Sequence, residues 1–223
     1  MSPIADDTSA LPVVETFHSL QGEGLHAGRS AFFIRLAGCA VGCPWCDTKH
    51  SWPAGAHPLR SLAELAEETR QAAAAGAAFA VITGGEPLEH DLGPLGEALR
   101  EATADAERPE GLPLHLETSG AAPLALSGRF AWVTLSPKAQ RPPTAELLAA
   151  CDELKVVVHG PADLAFAEAM AAEAMAAAAG HGPALLLQPG WNSAAGQELA
   201  VAFVRAHPAW RLSLQSHKWL GVR

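Results

Sequence analysis

The sequence lacks any run of about 18 apolar residues, so no membrane-spanning helix is expected. Met170 to Ala179 comes nearest, but it is short, alanine-rich and interrupted by Glu173. Met1 to Leu11 has neither a basic n-region nor an apolar h-region, and no secretion signal is read there. Basic residues are few. There are 15 Lys and Arg against 24 Asp and Glu, a net charge of −9, and the basic ones are scattered. A grip on RNA or DNA usually needs a basic stripe, so a small-molecule substrate is favoured over nucleic acid. Cysteines number only 4. Cys151 stands alone and is expected to be a buried, inert thiol. No segment is low enough in complexity to read as disordered. What remains is 223 residues, 49% of them hydrophobic, enough for one α/β domain with a full core. That domain is expected over residues 1–223, with residues 1–12 flexible.

The other three cysteines share one short stretch, Gly38 to Thr48, spaced Cys39-x3-Cys43-x2-Cys46. Three thiolates on one loop can point at a single metal centre, and soft thiolates select zinc, copper(I) or iron–sulfur clusters. Three ligands are one short of a closed tetrahedral shell, which leaves a position open for a reactant. A [4Fe–4S] cluster held this way has one bare iron, able to chelate the amino and carboxylate groups of S-adenosylmethionine (SAM). A structural zinc site is the alternative, with His50, separated from Cys46 by three residues, as fourth ligand. A disulfide would leave one of the three unpaired. Reduced cysteines make the cytoplasm the expected compartment.

Strands and helices alternate along the chain. Strands are expected at 13–20, 31–36, 78–83, 114–118, 131–135, 153–158, 185–188 and 210–215. Helices are expected at 61–75, 92–104, 161–179 and 195–206, the first opened by a capping box of Ser61 and Glu64. The region from Thr118 to Arg129 has room for little more than a loop. Such alternation implies parallel strands joined by right-handed crossovers. About seven strands with reduced helix content predict an incomplete (β/α) barrel. Polar groups cluster just after the strands, at the edge where parallel α/β barrels carry their active sites. One ligand pocket across the barrel mouth is therefore expected, with the cysteine loop (38–53), inserted after an early strand, at its edge. Met170 and Met175 could mark a dimer face on an alanine-rich helix or simply lie in the core.

The cysteine spacing, with Trp45 just before the last cysteine, resembles the radical SAM superfamily. Gly84-Gly85-Glu86-Pro87, after a strand, matches that superfamily's motif for the SAM amino group, and glycines there would let the backbone approach a ligand closely. The resemblance narrows with Leu20-Gln21-Gly22-Glu23-Gly24, Arg35, Cys46-Asp47-Thr48, Glu117-Thr118-Ser119-Gly120, Ser136-Pro137-Lys138 and Gln215-Ser216-His217-Lys218, in that order. Together, from about residue 13 onwards, they resemble the 7-carboxy-7-deazaguanine synthase family. Some members of that family carry a longer insert between the first two cysteines, and Ser216 stands where threonine is common.

The resemblance implies a [4Fe–4S] cluster on Cys39, Cys43 and Cys46, SAM, and Mg2+ on the Thr48 hydroxyl, with Asp47 as an alternative or supporting ligand. It implies that reductive cleavage of SAM starts a ring contraction of 6-carboxy-5,6,7,8-tetrahydropterin. Ammonia leaves and 7-carboxy-7-deazaguanine forms. The cofactor carries that chemistry, and the protein orients and shields it. Gly85, Glu117, Ser136, Pro137 and Lys138 would line SAM, with Gln188, Pro189, Gly190 and Trp191 completing that side. Leu20, Gln21, Gly22, Arg35, Thr83 and His217 would line the pterin. Arg35 lies in an apolar strand, where a cation is costly unless paired. Its partner is either the substrate carboxylate or a protein carboxylate such as Glu15. His217 and Lys218 are expected at a strand end. The chain stops six residues after His217, and the family implies that the main-chain carboxylate of Arg223 caps the pterin edge. A flavodoxin or ferredoxin as electron donor and a homodimer complete the expectation. The competing functions are another radical SAM enzyme, such as a glycyl-radical activase, and a non-enzymatic zinc module.

Overall fold

The computed structural model describes residues 10–124 and 129–223. The described chain divides into two compact units. The first comprises residues 10–19, 30–116, 124 and 129–131, and the second residues 20–29, 117–123 and 132–223.

In the first unit, β1 (Ala10–Leu20), β2 (Ser30–Leu36), β3 (Leu59–Ser61), β4 (Ala80–Gly84) and β5 (Leu114–Thr118) run in the order β3-β1-β2-β4-β5. The last residue of β1 and the last two of β5 are counted with the second unit. Residues 10–12, expected to be flexible, instead open β1 and pair antiparallel with Leu59–Ser61. Residues 1–9, the rest of that expected flexible lead, lie outside the described residues. β2 pairs parallel with β4, and β4 with β5. An unbroken apolar run suits β2, since five of its seven residues are buried. Phe17 stacks on Phe33 at 4.9 Å, beside a core of Ala31, Phe33, Phe79 and Val81. Helix α1 (Leu62–Ala74) opens with the expected box, Ser61 Oγ accepting from Glu64 N and Glu64 accepting from Ser61 N. It packs on α2 (Gly93–Thr103), which buries Leu95, Leu99 and Thr103 along one face.

The second unit holds β6 (Trp132–Leu135), α3 (Ala145–Ala150), β7 (Glu153–Val158), α4 (Pro161–Ala177), β8 (Ala184–Pro189), α5 (Ala194–Ala206), β9 (Trp210–Leu212) and α6 (Ser216–Leu220). Its strands run β6-β7-β8-β9, each pair parallel. In α4 the buried positions are Ala167, Met170, Ala171 and Ala174, spaced as one helical stripe. Small side chains there let the helix lie close on β7. Met170 is therefore core, whereas Met175 is exposed.

Three differences from the sequence reading have local causes. β3 and α3 are too short for their periodicity to register. Nine strands are described against about seven expected. The last strand ends at Leu212 and not at 215. Ser216 donates through N–H and Oγ to Gly22 O, drawing the chain out of the sheet, so His217 and Lys218 sit on α6 instead of at a strand end. Among the described residues no helix is long and apolar enough to cross a membrane.

Candidate active site

The cysteine loop leaves β2 and is closed at its base by Gly38 N to Ser51 O (2.8 Å) and Cys39 N to Trp52 O (3.1 Å). The Gly84–His90 segment after β4 grips the same base. Gly85 N donates to Leu36 O (2.9 Å) and Glu86 N to Gly38 O (2.8 Å). His90 Nε2 lies 2.7 Å from Ala37 O, and Ala40 N donates to Glu89 at 2.8 Å. A Cβ on Gly85 would sit 2.1 Å from Gly38 O and 3.0 Å from Cys39 Cβ. One on Gly84, at φ +137°, would sit 2.1 Å from Leu36 O. Ligand approach is the sequence-level reason for these glycines. The group they admit in this structure is the protein's own backbone at Leu36–Cys39. The two signatures of the sequence, some forty residues apart, thus meet in the first unit.

None of the three loop cysteines is in a disulfide; Cys43 is buried and the other two are half-buried. Burial pushes the Cys39 thiol up, and the nearby carboxylates of Glu89 and Glu86 add to it. Among the described residues, no three of His, Cys, Asp and Glu are gathered as a ready-made metal site, His50 included. His50 offers its carbonyl to His57 Nε2 at 2.7 Å. What fits is the donor chemistry: three free, soft thiols on one loop, one short of a closed shell. Thr48 precedes the short 3-10 turn Lys49–Ser51 but does not cap it with its side chain. Its Oγ1 stands 3.5 Å from Cys46 Sγ, and Asp47 is exposed. Cys151 is buried, its thiol pushed up to about 12 by burial, as an inert thiol should be.

Arg35 and Thr83 are direct neighbours, Cα partners in the β2–β4 register. Arg35 Nε is 3.1 Å from Glu15 Oε1, so the protein carboxylate weighed from the sequence does pair with it. That contact uses Nε, and the side chain keeps 21% exposure.

In the second unit the 20–29 loop is folded on itself by Gln21 N to Arg29 O and Gly28 N to Gln21 O, both 2.8 Å. Gln21 Nε2 donates to Glu117 at 2.9 Å, and Gln21 Oε1 accepts from Glu23 N at 3.1 Å. Half-buried Leu20 leads into this turn. Gly22 faces His217: a Cβ there would lie 2.1 Å from Nδ1 of the ring. Gln21, Gly22, Glu117 and His217, all singled out by sequence, are thus brought together.

Around them lies a charge cluster that the sequence reading missed. Lys155 Nζ pairs with Glu23, whose other oxygen accepts from Gln215 Nε2 at 2.9 Å. Burial alone would raise the Glu23 carboxyl, but Lys155 and the Gln215 and Gln188 amides hold it below the ordinary range. Burial would lower Lys155, and Glu23, Glu117 and Glu153 together outweigh it and raise the ammonium. Glu153 is raised, by burial first and then by Glu117 and Glu23, against the pull of Lys155. Glu153 accepts from Leu25 N at 2.8 Å. Buried Gln188 accepts from Ser213 Oγ at 2.7 Å, and that hydroxyl accepts from Gly24 N at 3.0 Å. A signal existed: Glu153 and Lys155, two apart in an otherwise apolar strand, must share one face.

The remaining SAM-side residues are held locally. Ser136 N donates to Thr118 O at 2.8 Å, Pro137 is buried, and Lys138 Nζ reaches Ser136 O (2.5 Å) and Oγ (2.9 Å). Pro189 ends β8. Gly190 N donates to Val158 O at 2.9 Å, and a Cβ on Gly190 would strike the His159 ring at 2.0 Å. Trp191 meets Trp219 edge-on at 6.2 Å with Lys218 Nζ 5.1 Å from its ring centre. Arg223 follows a left-handed turn at Gly221, where Val222 N donates to His217 O at 3.1 Å.

Residues 33–159 match the family model of the radical SAM superfamily. The 7-carboxy-7-deazaguanine synthase of Prochlorococcus marinus is 51% identical over 96% of this chain and 99% of its own length. That of Synechocystis is 48% identical over 100% of this chain and 99% of its own. The crystal structure of QueE from Escherichia coli superposes with a TM-score of 0.74 at 30% identity, covering 93% of this chain and 95% of that one. The mostly parallel α/β fold is therefore the radical SAM type expected of an incomplete (β/α) barrel. The chain belongs to the radical SAM superfamily and, within it, to the 7-carboxy-7-deazaguanine synthase family.

Proposed function

We infer that this chain is a 7-carboxy-7-deazaguanine synthase, converting 6-carboxy-5,6,7,8-tetrahydropterin to 7-carboxy-7-deazaguanine with loss of ammonia, in queuosine and deazapurine biosynthesis. The observation that carries the reading is the grip of Gly85 and Glu86 on the base of the three-cysteine loop, seen in a chain whose relatives bear that name over nearly their full length. Cys39, Cys43 and Cys46 would hold a [4Fe–4S] cluster, which supplies the electron for reductive cleavage of SAM.

The protein's own groups do the rest. Gly85 presents backbone at the SAM amino group, and Glu117 accepts from ribose hydroxyls. Lys138 faces the SAM carboxylate, and Ser136, Pro137, Gln188, Pro189, Gly190 and Trp191 shape the same side. Arg35 offers its Nη edge to the substrate carboxylate, a forked pairing that its contact with Glu15 leaves open. Thr83 is its neighbour in the sheet register, and Leu20, Gln21, Gly22, His217 and Arg223 are assigned to the pterin on the family resemblance. Thr48 supplies one hydroxyl to Mg2+, an ion that keeps waters and takes few protein ligands. Residues 1–223 act as one catalytic domain, in the cytoplasm, as a homodimer reduced by a flavodoxin or ferredoxin.

The test is an anaerobic assay with SAM, reductant, Mg2+ and the carboxytetrahydropterin, following the deazapurine chromophore. Loaded wild type should form product. Cys43→Ala should lose iron, SAM cleavage and product together, while Cys151→Ala keeps all three. Thr48→Ala should alter the Mg2+ dependence with cluster absorbance intact. Product from Cys43→Ala, or none from loaded wild type, would end the reading.

A further inference from the structure

Residues 21–25 make no sheet pairing of their own, yet the loop is tied by side chains to four separate elements. Glu23 meets Lys155 on β7 and Gln215 before α6. Gly24 N bonds Ser213, which bonds Gln188 on β8. Leu25 N bonds Glu153 on β7, and Gly22 O takes both donors of Ser216 on α6. Gln21 closes the set on Glu117 of β5. Gly22 and Gly24 leave no slack. A Cβ on the first would meet His217 at 2.1 Å, and one on the second would meet Glu153 at 2.2 Å.

At the centre the Lys155 ammonium pairs with Glu23, and the charges of Glu117 and Glu153 also favour it. Lys155 is 6% exposed and Glu23 19%. A buried ammonium is tolerated only when paired and hydrogen-bonded, and buried carboxylates likewise need a cation. Without Lys155, Glu23 and Glu153 would repel each other under the loop, and Glu23 would have to find water or a proton. Lys155 contacts Glu23 itself.

We propose that Lys155 is the positioning residue of the 21–25 loop, holding Glu23 in place so that Gln21, Gly22 and His217 are presented in one arrangement. This rests on the function proposed above for the pterin side, and it concerns how those residues are held. Lys155 acts through Glu23 and takes no part in bond making.

The test uses cluster-loaded enzyme and three variants, Lys155→Met, Glu23→Gln and the double variant. Hydrogen–deuterium exchange is read at residues 21–25 and 213–216, and KM and kcat are measured with the carboxytetrahydropterin. In Lys155→Met the loop amides should exchange about tenfold faster or more. KM should rise about tenfold or more with kcat within about threefold and iron content unchanged. Adding Glu23→Gln removes the stranded charge, so the double variant should recover most of both losses. Unchanged exchange and KM in Lys155→Met would overturn the proposal. So would a fall in kcat that Glu23→Gln does not rescue, which would put Lys155 at the reacting atoms. If Lys155→Met does not fold, the double variant decides: a folded protein with near wild-type exchange and KM supports the proposal, and a tenfold loss in either overturns it. Should wild type make no deazapurine, the function fails, and the exchange rates still judge Lys155.

Discussion

Arg35 in β2 and Lys155 in β7 are the same kind of residue in sequence terms, each a cation in an apolar strand. Their surroundings differ. Arg35 keeps 21% exposure and meets one carboxylate through Nε. Lys155 keeps 6%, pairs with Glu23 and is favoured as a cation by the charges of Glu117 and Glu153. A guanidinium with one edge engaged can still receive a forked ligand. A buried ammonium paired with a buried carboxylate is already committed. The first keeps an edge of its cation unengaged by that carboxylate, and the second is committed to its buried partner.

The largest expected effect tests the enclosed pair. Glu23 is held below its ordinary carboxylate value, so the stability it contributes is present above about pH 4.5 and is lost as pH falls towards about 2. Glu153 works in the opposite sense, since its raised value costs stability as pH rises through it. Urea unfolding across pH 5 to 2 should therefore lose on the order of 2–3 kcal/mol in wild type beyond the loss seen in Glu23→Gln. Equal slopes in the two proteins would mean that Lys155 does not lock Glu23, and the contrast with Arg35 would vanish.

A second comparison sets charge against backbone. The 21–25 loop is held by side-chain charge, and the cysteine loop by close backbone approach. Gly85→Ala should cost about 1–3 kcal/mol, because the new methyl meets a carbonyl that cannot rotate away. Reconstituted iron per chain should fall with it. Gly55→Ala, just beyond the cysteine loop and with nothing within 4 Å of its Cβ position, should stay within about 0.5 kcal/mol. Normal iron loading in Gly85→Ala would show that the Gly84–His90 segment does not position the loop.

The difference between the two loops also explains what was legible in the sequence. Cys39, Cys43, Cys46 and Gly84–Pro87 are local patterns whose chemistry needs adjacent residues, and hydrogen bonds from Gly85 to Leu36 and from Glu86 to Gly38 join the two segments. Ser61 and Glu64 likewise announce their box at fixed spacing. Lys155 was not legible, because the carboxylate it pairs with, Glu23, lies 132 residues away. Only the shared face of Glu153 and Lys155 hinted at it. β3 escaped because three residues carry no period, and β9 was overestimated because Ser216 bonds to Gly22, a contact no local pattern encodes.

The smallest effect belongs to Glu15. With both partners partly exposed, at 21% and 26%, the Arg35–Glu15 pair resembles surface ion pairs, which typically contribute under about 1 kcal/mol. Glu15→Gln keeps the shape and a carbonyl oxygen for Nε, and it should lower stability by less than that. Its effect on substrate should run the other way. Removing the competing negative charge while Nε keeps an acceptor leaves the Nη edge's charge to the substrate, so KM should hold or fall. Arg35→Met, which removes the fork, should raise KM about tenfold or more, since a bidentate charged contact contributes about 1.5–3 kcal/mol. The two variants measured side by side separate the roles. If Glu15→Gln instead cost more than about 2 kcal/mol and raised KM as much as Arg35→Met, the pair would be a fixed support like Lys155 and Glu23. Arg35 would then have no edge left to offer, and the substrate carboxylate would need another cation.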